Sequence, residues 1–568
     1  MSAVLETREP SAWYPAEFLP ARLREFDLVS TAPGGVARLR ELILLLAVRG
    51  ELAPHDPVDQ SAQETLKQIQ VQRERLIGTG LVKVPKSRNW VGNEDPPFEI
   101  PPNWEWATLS EIVRVLNGRA YSKQELLDAG PTPVLRVGNL FTSDHWYYSN
   151  LSLEPDKLCK PGDLLFAWSA SFGPFIWDGP NAIFHYHIWK LDPIAPELFN
   201  VQYLHLFLRE KTAELKAAGH GVSMVHLTKE KMEKIPVPWP PLAEQARIVA
   251  CVDELMQLCD ALEAKGRLEA QQHARLLETL LGTLTDSTTP EELAANWQRV
   301  AEHSDLLLDR PEAVDVLEQT VLQLAVRGLL VPQDRNDIPP ARLISTGPGR
   351  SPVPPHSTIP PDQSESNVET GLLPSGWELV QLHQVADTRL GKMLDKSKNR
   401  GLPRPYLRNT NVQWGRFDLG DVKTMNLEES ELQEFRLAVG DLLICEGGEP
   451  GRCAIWRDDE REMYFQKALH RVRPHAGVSA EYIAIALESD AISGALDEYF
   501  TGATIKHFVG QALQRYTFAL PPAAEQARIV ARVTELRRLC AELRHCLAAS
   551  QATQSRLAGA LVESVETT

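Results

Sequence analysis

The sequence has few cysteines and no long apolar run, and these two absences exclude several classes of protein. Its 568 residues include seven cysteines, without a C-x-x-C pair, which fits neither a disulfide scaffold nor a structural zinc site. The longest apolar run, residues 42–48, has seven residues, whereas a bilayer crossing needs ~20. The start, MSAVLETREP, lacks the apolar stretch of a signal peptide. We therefore expect a soluble protein of the reducing cytoplasm, with no metal site.

Positive charge is also scarce in the chain as a whole. Lys and Arg number 59 against 76 Asp and Glu, which gives a formal charge of −17. A nucleic-acid partner is disfavoured by this total, because cations that neutralise phosphates supply most non-specific affinity. The composition is otherwise that of a globular protein, and the length allows about four folding units at ~150 residues each.

The sequence contains an internal repeat. PLAEQARIVACVDELMQLC at 241–259 recurs as PAAEQARIVARVTELRRLC at 522–540, and LAVRG at 46–50 recurs at 324–328, each time with a proline four residues later. Shorter matches lie between them, with Trp-Glu at 104 and 377, Leu-Arg-x-x-Asn at 135 and 407, and GDLL at 162 and 440. The chain therefore reads as helical start, variable domain and helix, followed by the same series again.

The helices can be predicted from their apolar spacing and their capping signals. After the repeated prolines, apolar residues alternate at intervals of four and three, which is typical of a coiled-coil seam about 40 residues long. The seam residues are Ile248, Val252, Leu255, Cys259 and Leu262 in the first copy, and Ile529, Val533, Leu536, Cys540, Leu543 and Leu547 in the second. Helix starts are expected at Ser61 and Thr289, and helix ends at Gly50 and Gly328.

The segments between the repeated helices, which we call variable, have a pattern typical of mixed α/β domains. Short runs of β-branched and aromatic residues are separated by turn residues. We predict an α+β chain, in which two mixed α/β domains are separated by long antiparallel coiled-coil helices in a pseudo-two-fold internal repeat. The expected parts are an N-terminal helical half-repeat with linker at 1–100, a first variable domain at 101–240, central repeat helices at 241–330, a proline-rich linker at 331–370, a second variable domain at 371–520 and a C-terminal repeat helix at 521–568.

The negative total charge disfavours a nucleic-acid partner less strongly once the charge is counted for each domain separately. Residues 101–240 carry 13 basic against 15 acidic residues, and residues 371–520 carry 18 against 21. Residues 389–416 hold eight Lys and Arg against one acid, Asp395, interleaved with Asn, Gln, Tyr and Trp. Such a window indicates nucleic-acid binding, although a merely solvated basic loop gives the same pattern. The first domain is less basic, and most of its aromatic residues are interpreted as core.

Motifs for catalysis are weak. D-P-P-F at 95–98 matches the tetrapeptide that amino-methyltransferases use on a flipped-out base, but no apolar strand precedes it and no glycine-rich cofactor loop is found before it. EGGEPG at 446–451 lacks the spacing of a nucleotide-binding loop and is interpreted as a tight turn. The alternatives left open are a single-chain DNA adenine methyltransferase with its own recognition domain, and a coiled-coil scaffold with no role on DNA.

The repeated motifs together resemble the specificity subunit of type I restriction-modification enzymes. The resemblance covers most of the chain and rests on the LAVRG, GDLL and P-x-A-E-Q-A-R-I-V segments and on Trp104 and Trp377. It implies a DNA-recognition protein without catalysis, whose two target-recognition domains each read one half of a split, asymmetric target in double-stranded DNA. The repeated helices would space these domains and hold two methyltransferase subunits, to which two restriction and translocase subunits add. S-adenosylmethionine, ATP and magnesium would belong to those partners and not to this chain.

We expect the DNA contacts to come from both variable domains, since Arg suits guanine and Asn or Gln suits adenine in the major groove, while other cations contact phosphates. The predicted base contacts of the second domain are Arg404, Arg408, Asn409, Asn411, Gln413 and Arg416, and its predicted phosphate contacts are Lys392, Lys396, Lys398, Arg400, Arg452 and Lys506. Their counterparts in the first domain are Arg136, Asn139, His145 and Trp146.

Overall fold

The structure is a computed structural model, and the chain divides into two compact units, one of residues 1–268 with 551–568 and one of residues 269–550. The predicted features that lie outside the described residues include Asp95, Lys396, Lys398 and residues 341–370 of the proline-rich linker. The residues that the structure describes are 26–80, 96–169, 172–217, 228–340, 373–395, 399–502 and 504–566.

The α-helices of the described residues include two long ones of 44 residues each, close to the length that the apolar spacing predicts. In chain order the helices are α1 (Phe26–Thr31), α2 (Gly35–Arg49), α3 (Ala62–Gly78), α4 (Leu109–Ile112), α5 (Val137–Phe141), α6 (Val201–Ala217), α7 (Lys229–Glu233), α8 (Leu242–Thr285), α9 (Pro290–Glu302), α10 (Ser304–Leu307), α11 (Pro311–Val326), α12 (Leu382–Val385), α13 (Glu429–Phe435), α14 (Ala480–Ser493), α15 (Gly510–Arg515) and α16 (Ala523–Glu566).

The first variable domain is mixed α/β, as predicted. One sheet has the strand order β2-β9-β6-β7 and is antiparallel, and a second has the order β4-β3-β8-β5 with β3 and β8 parallel. A separate antiparallel pair, β1 with β10, joins the two ends of the domain. The strands are β1 (Glu105–Thr108), β2 (Val113–Asn117), β3 (Thr132–Leu135), β4 (Tyr147–Ser149), β5 (Leu158–Cys159), β6 (Leu164–Ala167), β7 (Gly173–Ile176), β8 (Ala182–Phe184), β9 (Ile188–Pro193) and β10 (Pro236–Trp239).

The second variable domain repeats this topology. Its sheets have the orders β12-β20-β17-β18 and β16-β13-β19, with β13 and β19 parallel, and β11 pairs with β21 at the ends of the domain. A small hairpin, β14 with β15, is specific to this domain among the described residues. The strands are β11 (Glu378–Gln381), β12 (Ala386–Leu390), β13 (Leu402–Leu407), β14 (Val412–Gln413), β15 (Arg416–Phe417), β16 (Lys423–Leu427), β17 (Leu442–Cys445), β18 (Cys453–Ile455), β19 (Tyr464–Phe465), β20 (Leu469–Pro474) and β21 (Thr517–Leu520).

The GDLL segments form the turn into an inner strand of each antiparallel sheet. Gly162 has φ 91°, as does its counterpart in the second domain, and this left-handed conformation favours glycine. The aspartate that follows binds a cation on the neighbouring strand. Lys190 Nζ lies 2.6 Å from Asp163, and Arg473 Nε lies 2.5 Å from Asp441. The repeated motif is therefore a structural turn held by a cross-strand ion pair.

The predicted helix starts are confirmed. Ser61 Oγ accepts a hydrogen bond from Glu64 N at 3.3 Å before α3, and Thr289 Oγ1 accepts one from Glu292 N at 3.1 Å before α9. These side chains satisfy amide groups that a helix start would otherwise leave without a partner.

The predicted helix ends are confirmed as well. Gly50 follows α2 with φ 78°, and Gly328 lies just beyond α11 with φ 72°. A Cβ on Gly50 would come within 2.5 Å of Pro101 and 2.9 Å of the Trp104 ring, and one on Gly328 would come within 3.0 Å of Trp377. Two features therefore favour glycine at the last position of LAVRG, namely its left-handed backbone conformation and the ring packed against it.

Most of the apolar seam of α8 and half of that of α16 is buried. The buried residues are Ile248, Val252, Leu255 and Cys259 in the first copy and Ile529, Val533 and Cys540 in the second, and the half-buried ones are Leu262, Leu536, Leu543 and Leu547. In the first unit the start of α8 packs on α2, and in the second unit the start of α16 packs on α11. Residues 263–272 of α8 are all exposed, and the helix continues through Gly266, where the apolar spacing falters. The pairing of the two long helices as an antiparallel coiled coil stays a prediction.

The end of α16 belongs to the core of the first unit. Ala558 is 1% exposed and packs in the same cluster as the apolar face of α2. Arg38 Nη1 donates a hydrogen bond to Ser555 O at 2.9 Å, and a Cβ on Gly559 would come within 2.5 Å of that guanidinium. This core is therefore made from residues near both ends of the sequence.

A buried carboxylate on α8 holds the start of the first variable domain. Glu244 is 0% exposed, and it accepts hydrogen bonds from Trp104 Nε1 at 2.8 Å and Asn103 Nδ2 at 2.9 Å. His55 Nδ1 lies 2.6 Å from the same carboxylate. Three segments distant in sequence are thereby joined at one residue of the AEQAR motif.

The next residue of the motif holds the other end of that domain. Gln245 Nε2 donates to Pro240 O at 3.0 Å, and its Oε1 accepts from Asn200 N at 3.1 Å, just before α6. Arg247 then binds Asp59 at 2.5 Å. The motif is therefore the junction between the variable domain and the repeated helices.

The second unit has the same junction with fewer donors. Gln526 Nε2 donates to Pro521 O at 2.8 Å, and its Oε1 accepts from Ser479 N at 2.7 Å. Glu525 is 1% exposed, and burial raises its pKa. Gln333 stands at the position of His55, and its amide instead donates to a backbone carbonyl within its own segment.

We expect Glu244→Ala to lower the free energy of unfolding by about 3 kcal/mol, because it leaves the buried groups of Trp104 and Asn103 without their acceptor. The measurement is urea unfolding followed by tryptophan fluorescence. Asp253→Ala, at an exposed position of the same helix, is the control and should change stability by less than about 0.5 kcal/mol. Equal effects of the two changes would contradict the role of Glu244 as a junction.

Candidate nucleic-acid interface

In the second variable domain, three segments meet at one edge of the sheets, and we call this the loop edge. It consists of residues 408–411 after β13, residues 446–452 after β17 and residues 466–468 after β19. The basic window is therefore joined to two segments that its sequence does not indicate. The bonds that join them are Gln466 N to Leu407 O (3.2 Å), Glu446 N to Ala468 O (2.9 Å) and Asn409 Nδ2 to Gly447 O (3.2 Å).

The first variable domain has a loop edge of the same construction. Here it consists of residues 136–139 after β3, Trp168 after β6 and residues 185–187 after β8. His185 N donates to Leu135 O at 2.9 Å, and Trp168 N donates to His187 O at 3.1 Å. The main-chain bonds are equivalent to those of the second domain, although the side chains differ.

The repeated asparagines Asn139 and Asn411 hold this edge in shape. Asn139 Oδ1 accepts from Arg136 N at 3.2 Å, and Asn411 Oδ1 accepts from Arg408 N at 2.9 Å. Their amide groups donate to backbone carbonyls, that of Asn139 to His145 O at 2.8 Å and that of Asn411 to the loop that follows it. Asn411 is only 3% exposed. The described contacts thus give both residues a positioning role, while contact with a base stays a prediction.

Most predicted cations of the second domain are already neutralised by acids of the same domain. All these acids lie outside residues 389–416, so the local charge of the window is less positive than its sequence indicates. The ion pairs are Lys392 with Glu431, Arg404 with Glu462 (2.9 Å), Arg408 with Asp421 (2.8 Å), Arg452 with Glu449 (2.7 Å) and Lys506 with Asp497 (2.8 Å).

Two of the predicted cations are available for a phosphate without breaking a pair. Arg400 and Arg416 are exposed, and neither side chain has a hydrogen bond or ion pair to another described residue. Gln413, beside Arg416 in the β14–β15 hairpin, donates from Nε2 to Thr410 O at 3.2 Å. The amide oxygen of Gln413 has no partner among the described residues.

An open groove of about 560 Å³ lies beside the loop edge of the second domain. Trp414 forms part of its lining, and its Nε1 donates to Glu449 at 3.1 Å. Lys506 also lines the groove, with its Nζ 5.8 Å from the centre of the Phe500 ring. Arg452 lies beneath this region and donates to Asn409 O at 2.9 Å.

The predicted residues of the first domain are placed mainly against aromatic rings. The Arg136 guanidinium carbon lies 4.6 Å from the centre of the Tyr147 ring, which is a cation–π distance. His145 is exposed and packs edge-on against the same ring at 4.7 Å. Trp146 is half-buried and packs on Trp177, at 6.2 Å between ring centres.

The aromatic part of this edge was not among the residues predicted from the sequence. Tyr186 is 41% exposed, and its ring lies 4.0 Å from that of His187 and 6.2 Å from that of Trp168. Tyr186 and His187 lie among rings interpreted as core, and only their position in the turn between β8 and β9 distinguishes them. The three-residue break between two apolar strands, at 185–187, was the available signal.

Two histidines of the edge are held in the neutral form. Burial, together with His187 and Arg136 nearby, lowers the pKa of His185 to about 4. Burial likewise lowers the pKa of His187. A neutral imidazole has one donor and one acceptor, which suits the edge of a base better than a phosphate.

The motifs considered for catalysis have structural roles where they are described. Phe98 packs edge-on against Trp106 at 4.9 Å, and EGGEPG forms the predicted tight turn, with φ 86° at Gly448 and 90° at Gly451. Within the described residues, no group of three or more His, Cys, Asp or Glu is placed to hold a metal ion. No helix in that part of the chain combines the length and apolar character needed to span a membrane.

Two domains of one topology, each with an edge of cationic, amide and aromatic side chains, indicate a nucleic-acid-recognition protein with two reading sites. A family profile described as type I restriction modification DNA specificity domain matches residues 101–272 and 374–549. The chain is 31% identical over 566 residues to the specificity subunit of type I restriction enzyme EcoAI of Escherichia coli, with 93% of each chain covered. It is 30% identical over 573 residues to that of EcoEI of Escherichia coli, again with 93% of each covered. The chain therefore belongs to the specificity subunits of type I restriction-modification enzymes.

We expect lower pH to destabilise the first variable domain through His185. In the unfolded chain this histidine takes up a proton near pH 6.5, whereas in the folded chain it does so near 4. The folded state therefore loses stability as the pH falls from about 6.5 towards 4. NMR titration of selectively labelled histidines should show this ring neutral at pH 5.5, and His185→Gln should reduce the pH dependence of unfolding. A midpoint near 6.5 for this ring would contradict its burial.

Proposed function

We propose that this chain is the non-catalytic recognition subunit of a type I restriction-modification complex, and that each variable domain reads one half of a bipartite DNA target. The observation that carries the proposal is the loop edge, which has the same main-chain framework in both domains and different side chains on it. A fixed framework places the contacts at the same depth in a groove, while the side chains select the bases.

The chemistry of the two edges supports an asymmetric target. The first edge presents Tyr186, His187 and Trp168, which are aromatic, and burial lowers the pKa of the His187 imidazole. The second presents Gln413, Arg416 and Lys467, which are amide or cationic and at least partly exposed. Because the groups that contact the bases differ, we expect the two half-sites to differ in sequence.

The long helices support a role as spacers and docking elements. Their starts are fixed to the variable domains through Gln245 and Gln526, whereas residues 263–272 of α8 are exposed. We infer that two methyltransferase subunits bind along these helices and that two restriction and translocase subunits add to them. S-adenosylmethionine, ATP and magnesium would then be bound by those partners in the cytoplasm. Calorimetry of the purified chain with S-adenosylmethionine tests this division, since binding would favour a single-chain methyltransferase.

Loss of either unpaired cation should weaken DNA binding. The bases selected should stay the same where the lost contact is to a phosphate, as predicted for Arg400, and selectivity in the second half-site should fall where it is to a base, as predicted for Arg416. We expect each of Arg400→Ala and Arg416→Ala to reduce the dependence of log K on log salt by about 1 where the residue contacts a phosphate. The measurement is fluorescence anisotropy on a target duplex at several salt concentrations. The control is Arg461→Ala. This exposed cation precedes β19, whereas the loop edge follows that strand.

These two variants also test the independence of the domains. Sequence preference at the half-site read by the first domain should be unchanged, because residues 101–240 are intact. Loss of discrimination at both half-sites from one substitution in the second domain would show that the domains do not read separately.

An insertion in α8 should change the distance between the half-sites. Four residues inserted after Glu263 lengthen the helix by ~6 Å, and DNA rises about 3.4 Å per base pair, so the preferred gap should grow by one to two base pairs. The site of insertion is exposed, and the variant should therefore fold. The extra turn adds about 40° of rotation, which predicts a modest loss of affinity even at the new spacing.

The readout for this insertion is selection of duplexes in which the gap is varied and both half-sites are fixed. Insertion of four residues within 341–370 of the predicted proline-rich linker, which is not part of α8 or α16, is the matched control and should leave the preferred gap unchanged. An unchanged gap with the α8 insertion would mean that this helix does not act as a spacer.

A further inference from the structure

The loop edge of each domain contains one tight turn that joins the two sheets. In the first domain the turn begins at His185, and Ile188 N donates to His185 O at 2.9 Å. In the second domain it begins at Gln466, and Leu469 N donates to Gln466 O at 2.9 Å. The two turns connect equivalent strands, β8 to β9 and β19 to β20, and close with the same bond at the same length.

The surrounding main chain fixes both turns in the same way. Tyr186 N donates to Arg119 O at 3.1 Å, and Lys467 N donates to Lys392 O at 2.9 Å. With the bonds to the preceding loops already described, each turn is held from both sides by backbone atoms. Backbone atoms therefore make most of the bonds that fix the turn, and within the first turn His187 N also donates to His185 Nδ1 at 3.5 Å.

A glycine makes this close approach possible in each domain. A Cβ on Gly118 would collide with the carbonyl of His185, and a Cβ on Gly391 would collide with that of Gln466. Such a collision with main chain cannot be relieved by a side-chain movement. Both domains thus keep the same backbone requirement at the same place, although the turns read His-Tyr-His in one and Gln-Lys-Ala in the other.

We propose that this turn is the specificity-determining element of each variable domain, with Tyr186 and His187 reading bases in one half-site and Gln466 and Lys467 reading bases in the other. The inference rests on the proposed function and adds to it the residues that discriminate. Three of these side chains can distinguish base edges in the major groove. Gln466 suits adenine, Lys467 suits guanine, and the neutral imidazole of His187 can donate or accept a hydrogen bond.

Exposure separates this turn from the neighbouring polar residues. Tyr186 is 41% exposed, and Lys467 is exposed with no side-chain partner among the described residues. By contrast, Asn411 is buried and Arg408 is paired with Asp421. The turn therefore offers contacts to DNA that do not first require an internal bond to break.

The test is an exchange of turn residues in the full-length chain. The first graft is His185→Gln with Tyr186→Lys and His187→Ala, and the reciprocal graft is Gln466→His with Lys467→Tyr and Ala468→His. Each purified protein is used to select duplexes from a pool with both half-sites randomised. Circular dichroism and thermal unfolding establish that the grafts are folded, as the backbone bonds predict.

We expect each graft to change the bases selected in one half-site and to leave the other half-site as in the wild type. Selectivity for the original bases over their alternatives should fall about 5- to 150-fold in the altered half. The controls are Asn181→Ala and Arg461→Ala, which lie at the opposite ends of β8 and β19 from the turns and should leave both half-sites unchanged.

Each outcome bears on one of the two proposals. Grafts that are folded and select the wild-type bases in both halves overturn the role of the turn and leave the proposed function standing. A wild-type chain that selects no sequence overturns the proposed function and the inference with it. If a graft does not fold, Lys467→Ala replaces it, because this exposed side chain makes no described contact, and unchanged selectivity in that variant also overturns the role of the turn.

Discussion

The structure depends on the burial of a carboxylate and an amide at the start of each long helix. A buried polar group must find partners within the protein, and Glu244 and Gln245 find theirs at the two ends of the first variable domain and in the segment after α2. Gln526 does the same in the second unit. A variable domain can therefore change at its loop edge while its attachment stays the same, because Gln245 and Gln526 both bond to backbone atoms. Of the groups that bind Glu244, only Trp104 recurs in the second copy, as Trp377. This separates a constant attachment from variable reading surfaces.

The ion pairs around the basic window have a corresponding effect on binding. A phosphate that approaches Arg404 or Arg408 competes with Glu462 or Asp421 for the guanidinium. Exposed ion pairs are weak, about 0 to 1 kcal/mol each, so a well-fitted duplex can displace them, but a poorly fitted one gains little. Internal acids thereby reduce the sequence-independent part of the affinity, which would otherwise retain the protein on any DNA. The negative total charge is consistent with this arrangement, since recognition needs local cations and not a positive protein.

The repeat made much of the fold predictable, and the chemistry of the edge much less so. Matching segments indicated two mixed α/β domains and repeated helices, and local signals at Ser61, Thr289, Gly50 and Gly328 located helix ends, because capping depends on neighbours within a few residues. The roles of Asn139 and Asn411 were not predictable, since an amide that shapes a loop and one that reads adenine look alike in sequence. The cations of residues 389–416 appeared unpaired because their acids lie later in the chain, in α13 and in the segments before β16 and β19. The turns at 185–187 and 466–468 share no side-chain chemistry, so only backbone geometry makes them equivalent.

The place of residues 551–566 in the first unit has a consequence for how the protein is made. These residues leave the ribosome after the whole second unit, yet Ala558 packs into the core formed by α2 and the start of α8. The apolar face of α2 must therefore remain incompletely covered while more than half of the chain is still being translated. Contacts so distant in sequence form slowly, and an incomplete core is prone to aggregation. Binding of a chaperone to the nascent first unit, or early folding of the second, would protect that surface until synthesis ends.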